Sequence, residues 1–182
     1  MSLTITRRSL LLAGTAAAAT LRPRAARAST QGGDAGVLAL LLAIEHAQIA
    51  LYEHAAGLPF HGRVAELAAR FGEQERAHAD RLGKLGARGS ESAPPVLTFT
   101  TEAKFLRLAQ RLEGLAVGAY NGAIPLLADG GLRQATAAIV QVEARHSAAV
   151  RILRRSDPAP RAFDRAFEPA RAERALATLL GG

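Results

Sequence analysis

The chain has 182 residues, of which 49% are apolar and only 4% aromatic, with 23 basic and 16 acidic side chains and a formal net charge of +7. This is enough apolar sequence to bury one domain-sized core without a disulfide, and there is no cysteine to form one. Residues 1–28 hold five of the basic side chains and no acidic one, leaving 18 against 16, and so near-neutral a body with no basic stripe excludes nucleic acid as a partner.

Ala, Leu, Arg and Glu dominate, a mixture that favours helix over sheet, so the expected class is all-α. At the N-terminus, Thr6-Arg7-Arg8-Ser9-Leu10-Leu11 resembles the twin-arginine export motif. The apolar run Leu10 to Leu21 is too short to span a bilayer as a helix. It reads as the core of a signal peptide over residues 1–28, with Ala26-Arg27-Ala28 as the cleavage site and Ser29 as the new N-terminus. The expected location is therefore periplasmic or otherwise extracytoplasmic, and the precursor's partner is the twin-arginine machinery. Residues 29–35 read as a flexible linker.

Four periodic stretches follow over residues 36–155. The first places Leu38, Leu42, Glu45, Ile49, Tyr52 and Ala56 on one helical stripe, with Asp34 as its N-cap and a stop at Gly57-Leu58-Pro59. A short turn leads to the second, in which Val64, Leu67, Phe71, Glu75, His78, Leu82 and Leu85 share a stripe that ends near Gly86. The two form an antiparallel pair.

Residues 87–98 are rich in Gly, Ser and Pro. A helix of about 24 residues is ~36 Å long, and a dozen extended residues reach ~40 Å. The linker can therefore run the length of a bundle, which favours a crossover between two hairpins over an up-down-up-down arrangement. The third stretch aligns Leu106, Ala109, Glu113, Val117, Tyr120 and Ile124, with Pro125 expected to kink or shorten its end. After the turn at Asp129-Gly130-Gly131, the fourth aligns Thr136, Ile139, Glu143, His146, Val150 and Leu153. Residues 156–182 contain a last amphipathic segment, Ala162 to Leu180, expected to cap the bundle or to make a contact within a homo-oligomer.

The chemistry lies in a repeat. Glu45, Tyr52, Glu75 and His78 recur 68 positions later as Glu113, Tyr120, Glu143 and His146, with every internal spacing conserved between the two copies. In each copy Glu and His three residues apart fall on one helix face. All four glutamates sit among apolar residues on the stripes, and burying them unpaired would cost several kcal/mol each or force protonation. Two divalent cations would neutralise them, with the two histidines as neutral nitrogen donors. His46, His54 and His61 lie off the stripes and are expected in solvent, as are Glu53, Glu66, Glu73 and Glu102.

With that pattern the chain resembles the ferritin-like superfamily of di-iron and di-manganese carboxylate proteins, which includes bacterioferritin, rubrerythrin and manganese catalase. The resemblance covers residues 36 to 155. It implies a four-helix bundle of two hairpins joined by a long crossover, in which Glu75 and Glu143 bridge two metal ions. Glu45 with His78 would hold one ion, and Glu113 with His146 the other. Tyr52 and Tyr120 resemble the tyrosines beside such centres, where a phenol orients a ligand carboxylate or supplies an electron; the residues alone are equally consistent with satisfied core tyrosines. The resemblance implies iron as the metal, with manganese as the alternative, and substrates among Fe(II), dioxygen and peroxide. The rival readings are a manganese-catalase activity and a non-enzymatic envelope protein whose metal is structural or absent.

Overall fold

Helix ends in this chain fall where the backbone chemistry demands. The computed structural model describes residues 33–89 and 97–181; the expected leader, residues 1–28, and the body of the linker, residues 90–96, lie outside the described residues. Five helices are present among these, and no strand: α1 (Gly33–Ala56), α2 (Gly62–Lys84), α3 (Glu102–Ala123), α4 (Gly130–Leu153) and α5 (Pro169–Leu180). The all-α expectation and the four long helices are borne out.

Helix α2 stops in a Schellman arrangement. Gly86 takes φ +99°, a conformation that Cβ would disfavour, and the N–H groups of Ala87 and Gly86 donate to the carbonyls of Leu82 and Gly83. Thr101 caps α3 by accepting from the Lys104 N–H, and Asp129 caps α4 by accepting from Leu132 at 2.8 Å. Pro125 ends α3 as expected, since the chain tightens into a 3-10 turn over Ile124–Leu126. Asp34 does not cap its own helix. It lies in the first turn of α1, and its carboxylate accepts from the N–H groups of Ala128 and Asp129, pinning the α3–α4 turn to the start of α1.

Topology follows from which residues meet. Tyr120 reaches Glu45 while Tyr52 reaches Glu113, so α1 and α3 run antiparallel. Arg76 meets Glu53, and His78 lies 3.5 Å from Glu45, so α1 and α2 are antiparallel as well. Helices α2 and α3 therefore point the same way, and the segment between them must travel the length of the bundle. Its return end is fixed where His54 bonds the Phe99 carbonyl at 2.9 Å and the Phe99 ring stacks on Phe105. The crossover read from linker length is thus required by the helix directions.

Around the bundle, α1 packs on α2 and α3, and α4 packs closely on α3 and least closely on α2. Helix α1 is the central element, covered also by α5. Its buried residues, from Val37 through Leu41, Ile44 and Leu51 to Ala55, cover more than the single stripe expected, while Ala43, His46 and Glu53 line the face left to solvent.

The C-terminal helix starts at Pro169, not at Ala162, because residues 157–168 lie across α3 as irregular chain. There the Phe167 N–H donates to the Gly118 carbonyl at 2.8 Å. A Cβ built on Gly122 would sit 1.8 Å from the Phe167 carbonyl oxygen, and one on Gly118 would sit 2.6 Å from its ring. Glycine at these two places is what lets the chain reach the helix. At Gly114 a Cβ would meet nothing. Gly114→Ala should therefore raise stability by ~0.5–1 kcal/mol through helix propensity alone. Gly122→Ala should lower the melting temperature and expose residues 157–180 to limited proteolysis, and equal melting temperatures for the two variants would contradict this packing.

Candidate metal centre

The two hairpins bring their repeats face to face. Glu45, Glu75, Glu113 and Glu143 are all fully buried, together with Tyr52 and Tyr120, while His78 and His146 are 8% and 2% exposed. Each side chain comes from mid-helix, where the ladder of backbone hydrogen bonds fixes its position, and each Glu-x-x-His pair projects from one face of α2 or α4. All six residues expected as ligands and both tyrosines meet at one place.

Their atoms form two overlapping sets. Glu45, Glu75, His78 and Glu143 can each direct one donor atom to a common point, and so can Glu75, Glu113, Glu143 and His146, with all donors of a set within 4.8 Å of one another. Glu75 and Glu143 belong to both. His78 Nδ1 lies 2.9 Å from Glu75 Oε2, 2.9 Å from Glu143 Oε1 and 3.5 Å from Glu45 Oε2. One N–H cannot serve three carboxylate oxygens. On the other side His146 Nδ1 lies 2.8 Å from Glu75 Oε1, and neither atom makes a hydrogen bond there. Glu45 Oε2 and Glu143 Oε1 are likewise buried without hydrogen-bond partners. Buried acceptors facing each other at such distances call for cations between them. Oxygen-rich donors with two imidazoles suit iron or manganese better than copper or zinc. The residues present thus fit a pair of metal ions.

The surrounding bonds run between hairpins. Tyr52 donates to Glu113 Oε1 and Tyr120 to Glu45 Oε1, so each phenol holds the glutamate of the opposite repeat rather than its own. The Phe71 ring stacks on His146 with centroids 3.9 Å apart and excludes water from that side. His46 and His61 lie at the surface, as do Glu53, Glu66, Glu73 and Glu102. His54 is also exposed but is tied to Phe99 rather than free.

Two amides were not singled out by the sequence reading. Gln48 is fully buried, and its Nε2 donates to Glu143 Oε2 at 2.8 Å and to Glu113 Oε2 at 3.2 Å. Gln74, on the exposed side of α2, reaches His146 Nε2 at 2.7 Å. A signal for Gln48 was present: from Val37 to Leu51 the only polar side chains are Glu45, His46 and Gln48. Nothing in the sequence marks Gln74.

The family model of a ferritin-like domain matches residues 33–156. The chain belongs to the ferritin-like family. Among solved structures this ferritin-like chain is similar to a conserved hypothetical protein, rv2844, from Mycobacterium tuberculosis, with 21% identity and a TM-score of 0.58 over 71% of this chain and 96% of that one. At that identity the likeness supports the ferritin-like fold alone. No curated protein matches the sequence.

Charge crowding shifts the titrations. Burial, reinforced by the neighbouring Glu143, raises the Glu45 carboxyl to about 8. Burial with Glu143 and Glu75 pushes Glu113 well above the carboxylate range. Burial opposes a charged His78, but the close carboxylates of Glu143, Glu45 and Glu75 outweigh it and push the imidazolium up to about 12. For Glu75 burial works upward, yet the close imidazoles of His146 and His78 win and bring it down. Without metal, the raised groups favour the folded state when protonated, so their contribution is complete below their unfolded values and fades as pH rises through the folded ones. For Glu45 that window runs from 4.5 to about 8. The melting temperature of metal-free protein should therefore fall by about 4 °C or more between pH 5 and pH 8.5, and Fe(II) or Mn(II) should reverse the trend, since metal uptake displaces these protons. A flat profile in chelator, followed by calorimetry, would contradict the assignment.

Proposed function

We propose that this ferritin-like chain is an exported di-metal carboxylate protein that acts on Fe(II), dioxygen or peroxide, with iron as its resident metal. The observation that carries the reading is the sharing of Glu75 and Glu143 between two four-residue donor sets whose remaining members are Glu45 with His78 and Glu113 with His146. Carboxylates shared in this way would hold two cations side by side, the arrangement suited to a two-oxygen substrate. A pair of iron ions held there would supply single-electron steps and open coordination positions for dioxygen or peroxide.

The chain's own groups do the rest. Tyr120 and Tyr52 hold Glu45 and Glu113 by their Oε1 atoms, which leaves the other oxygens of those carboxylates for the centre. Phenols so close also suit delivery of an electron or proton, and burial beside anionic carboxylates pushes both well above the usual phenol range, so each keeps its proton at rest. In turnover Fe(II) would be oxidised and the oxidant reduced. For peroxide reduction the reductant would come from outside, since the chain has no Cys-x-x-Cys pair to carry electrons. The twin-arginine-like Thr6 to Leu11 segment supports export, a route that moves folded proteins and so allows metal loading beforehand.

Full chain purified without chelators should carry about two iron atoms by elemental analysis and should oxidise added Fe(II) in air. Glu75→Ala should drop metal content below one per chain and abolish oxidation while circular dichroism still reports a helical fold. Two manganese ions with peroxide dismutation would move the assignment to a catalase. No metal, and none taken up from Fe(II) or Mn(II), would overturn the reading and leave a structural bundle.

A further inference from the structure

The repeat that places the ligands is not symmetric in what supports them. Adding 68 to Gln48 gives Ala116, and adding 68 to Gln74 gives Val142, so both amides belong to the first half alone. Both act on the same side of the centre. Gln48 Nε2 binds Glu113 and Glu143, and Gln74 Oε1 binds His146. Glu113 and His146 are the residues that distinguish the second donor set from the first. The Gln74 contact directs the His146 Nε2 proton outward and leaves Nδ1, 2.8 Å from Glu75 Oε1, as the inward donor.

The Glu45–His78 side is built differently. Among the described residues no amide bonds Glu45 or His78 themselves, Gln48 reaching this side only through the shared Glu143, and His78 borders an open groove between α2 and α4, lined by Arg81, Gln134, Ala135, Ala138 and Ile139. These two helices pack far less closely on each other than α1 does on α2 or α3 on α4, and the groove between them is lined by the small residues Ala135 and Ala138. His78 is four times as exposed as His146, 8% against 2%.

Gln48 carries a further mark. Its Oε1 is buried with no hydrogen-bond partner, a cost that a leucine of similar volume would avoid. Its Nε2 is satisfied by Glu143 and Glu113, so the amide serves the carboxylates of the centre while its Oε1 is left for a polar or charged neighbour.

We propose that the two metal positions are inequivalent. Gln48 and Gln74 make Glu113–His146 the retained site, and the α2–α4 groove makes Glu45–His78 the site that exchanges with solution. Gln48 and Gln74 are positioning residues, acting through the carboxylates and imidazole they hold. The proposal rests on the di-metal reading above and adds to it which position turns over.

Titration of metal-free full chain with Co(II), followed by visible absorption and calorimetry, separates the two ideas. Two equivalents should enter in two steps, and a chelator should remove the weaker one first. Gln48→Leu should weaken the tight step by about ten- to a hundredfold and leave the weaker step in place. Gln74→Ala, on an exposed position that cannot unfold the core, should weaken the same step less, and it decides the matter if Gln48→Leu folds poorly. Two equivalents in a single class, or a tight step unmoved in both variants, would overturn the inequivalence while leaving the di-metal reading intact. No Co(II) uptake would overturn both.

Discussion

Four carboxylates in one apolar core are the constraint on which the rest of this molecule depends. Left alone, Glu45, Glu75, Glu113 and Glu143 would repel one another in a medium that solvates none of them. The protein answers with every neutralising contact at hand: histidines wedged between the acids, phenols and one amide donating inward, and protons retained on Glu45 and Glu113. Even so, several buried oxygens lack partners. A core assembled for stability alone would not contain this cluster, since apolar side chains of the same volume would be easier to bury.

That constraint explains the architecture around it. Ligands must come from four rigid elements to hold charges at fixed separations, which mid-helix positions provide and loops would not. The long crossover sets α1 antiparallel to α3, and this direction makes the tyrosine bonds reciprocal, Tyr52 to Glu113 and Tyr120 to Glu45. A parallel arrangement would carry each phenol to the wrong end. Because the bonds join the two hairpins, the charged centre is also what couples them. The C-terminal segment then closes the outer face of α3 over Gly118 and Gly122, away from the chemistry.

Much of this was legible because the period of the sequence and the period of the helix coincide. A carboxylate on an apolar stripe is conspicuous, and its repetition after 68 residues at equal spacings made Glu45 through His146 readable as one set. Linker length against helix length was enough for the crossover. What escaped was whatever depends on a neighbour distant in sequence. Gln74 looks like any surface amide until α4 brings His146 to it. Asp34 has the composition of an N-cap, but its partners are 94 and 95 residues away. Helix α1 was read as a single narrow stripe because stripe analysis cannot tell that α2, α3 and α5 together cover more of its surface, leaving the face of Ala43, His46 and Glu53 to solvent. Residues 162–168 were grouped with the last amphipathic segment, yet they pack as irregular chain on Gly118 and Gly122 of α3 and the helix begins only at Pro169.

The cluster is proposed to hold two cations between its shared carboxylates. Its most direct test is diffraction from crystals of the full chain soaked in Fe(II) without oxygen, with anomalous data collected on both sides of the iron edge. Two peaks about 3.5–4 Å apart are expected, both within reach of Glu75 and Glu143, one beside His78 and one beside His146. A single peak, peaks only on surface carboxylates, or an empty core with the four glutamates unmoved would contradict it.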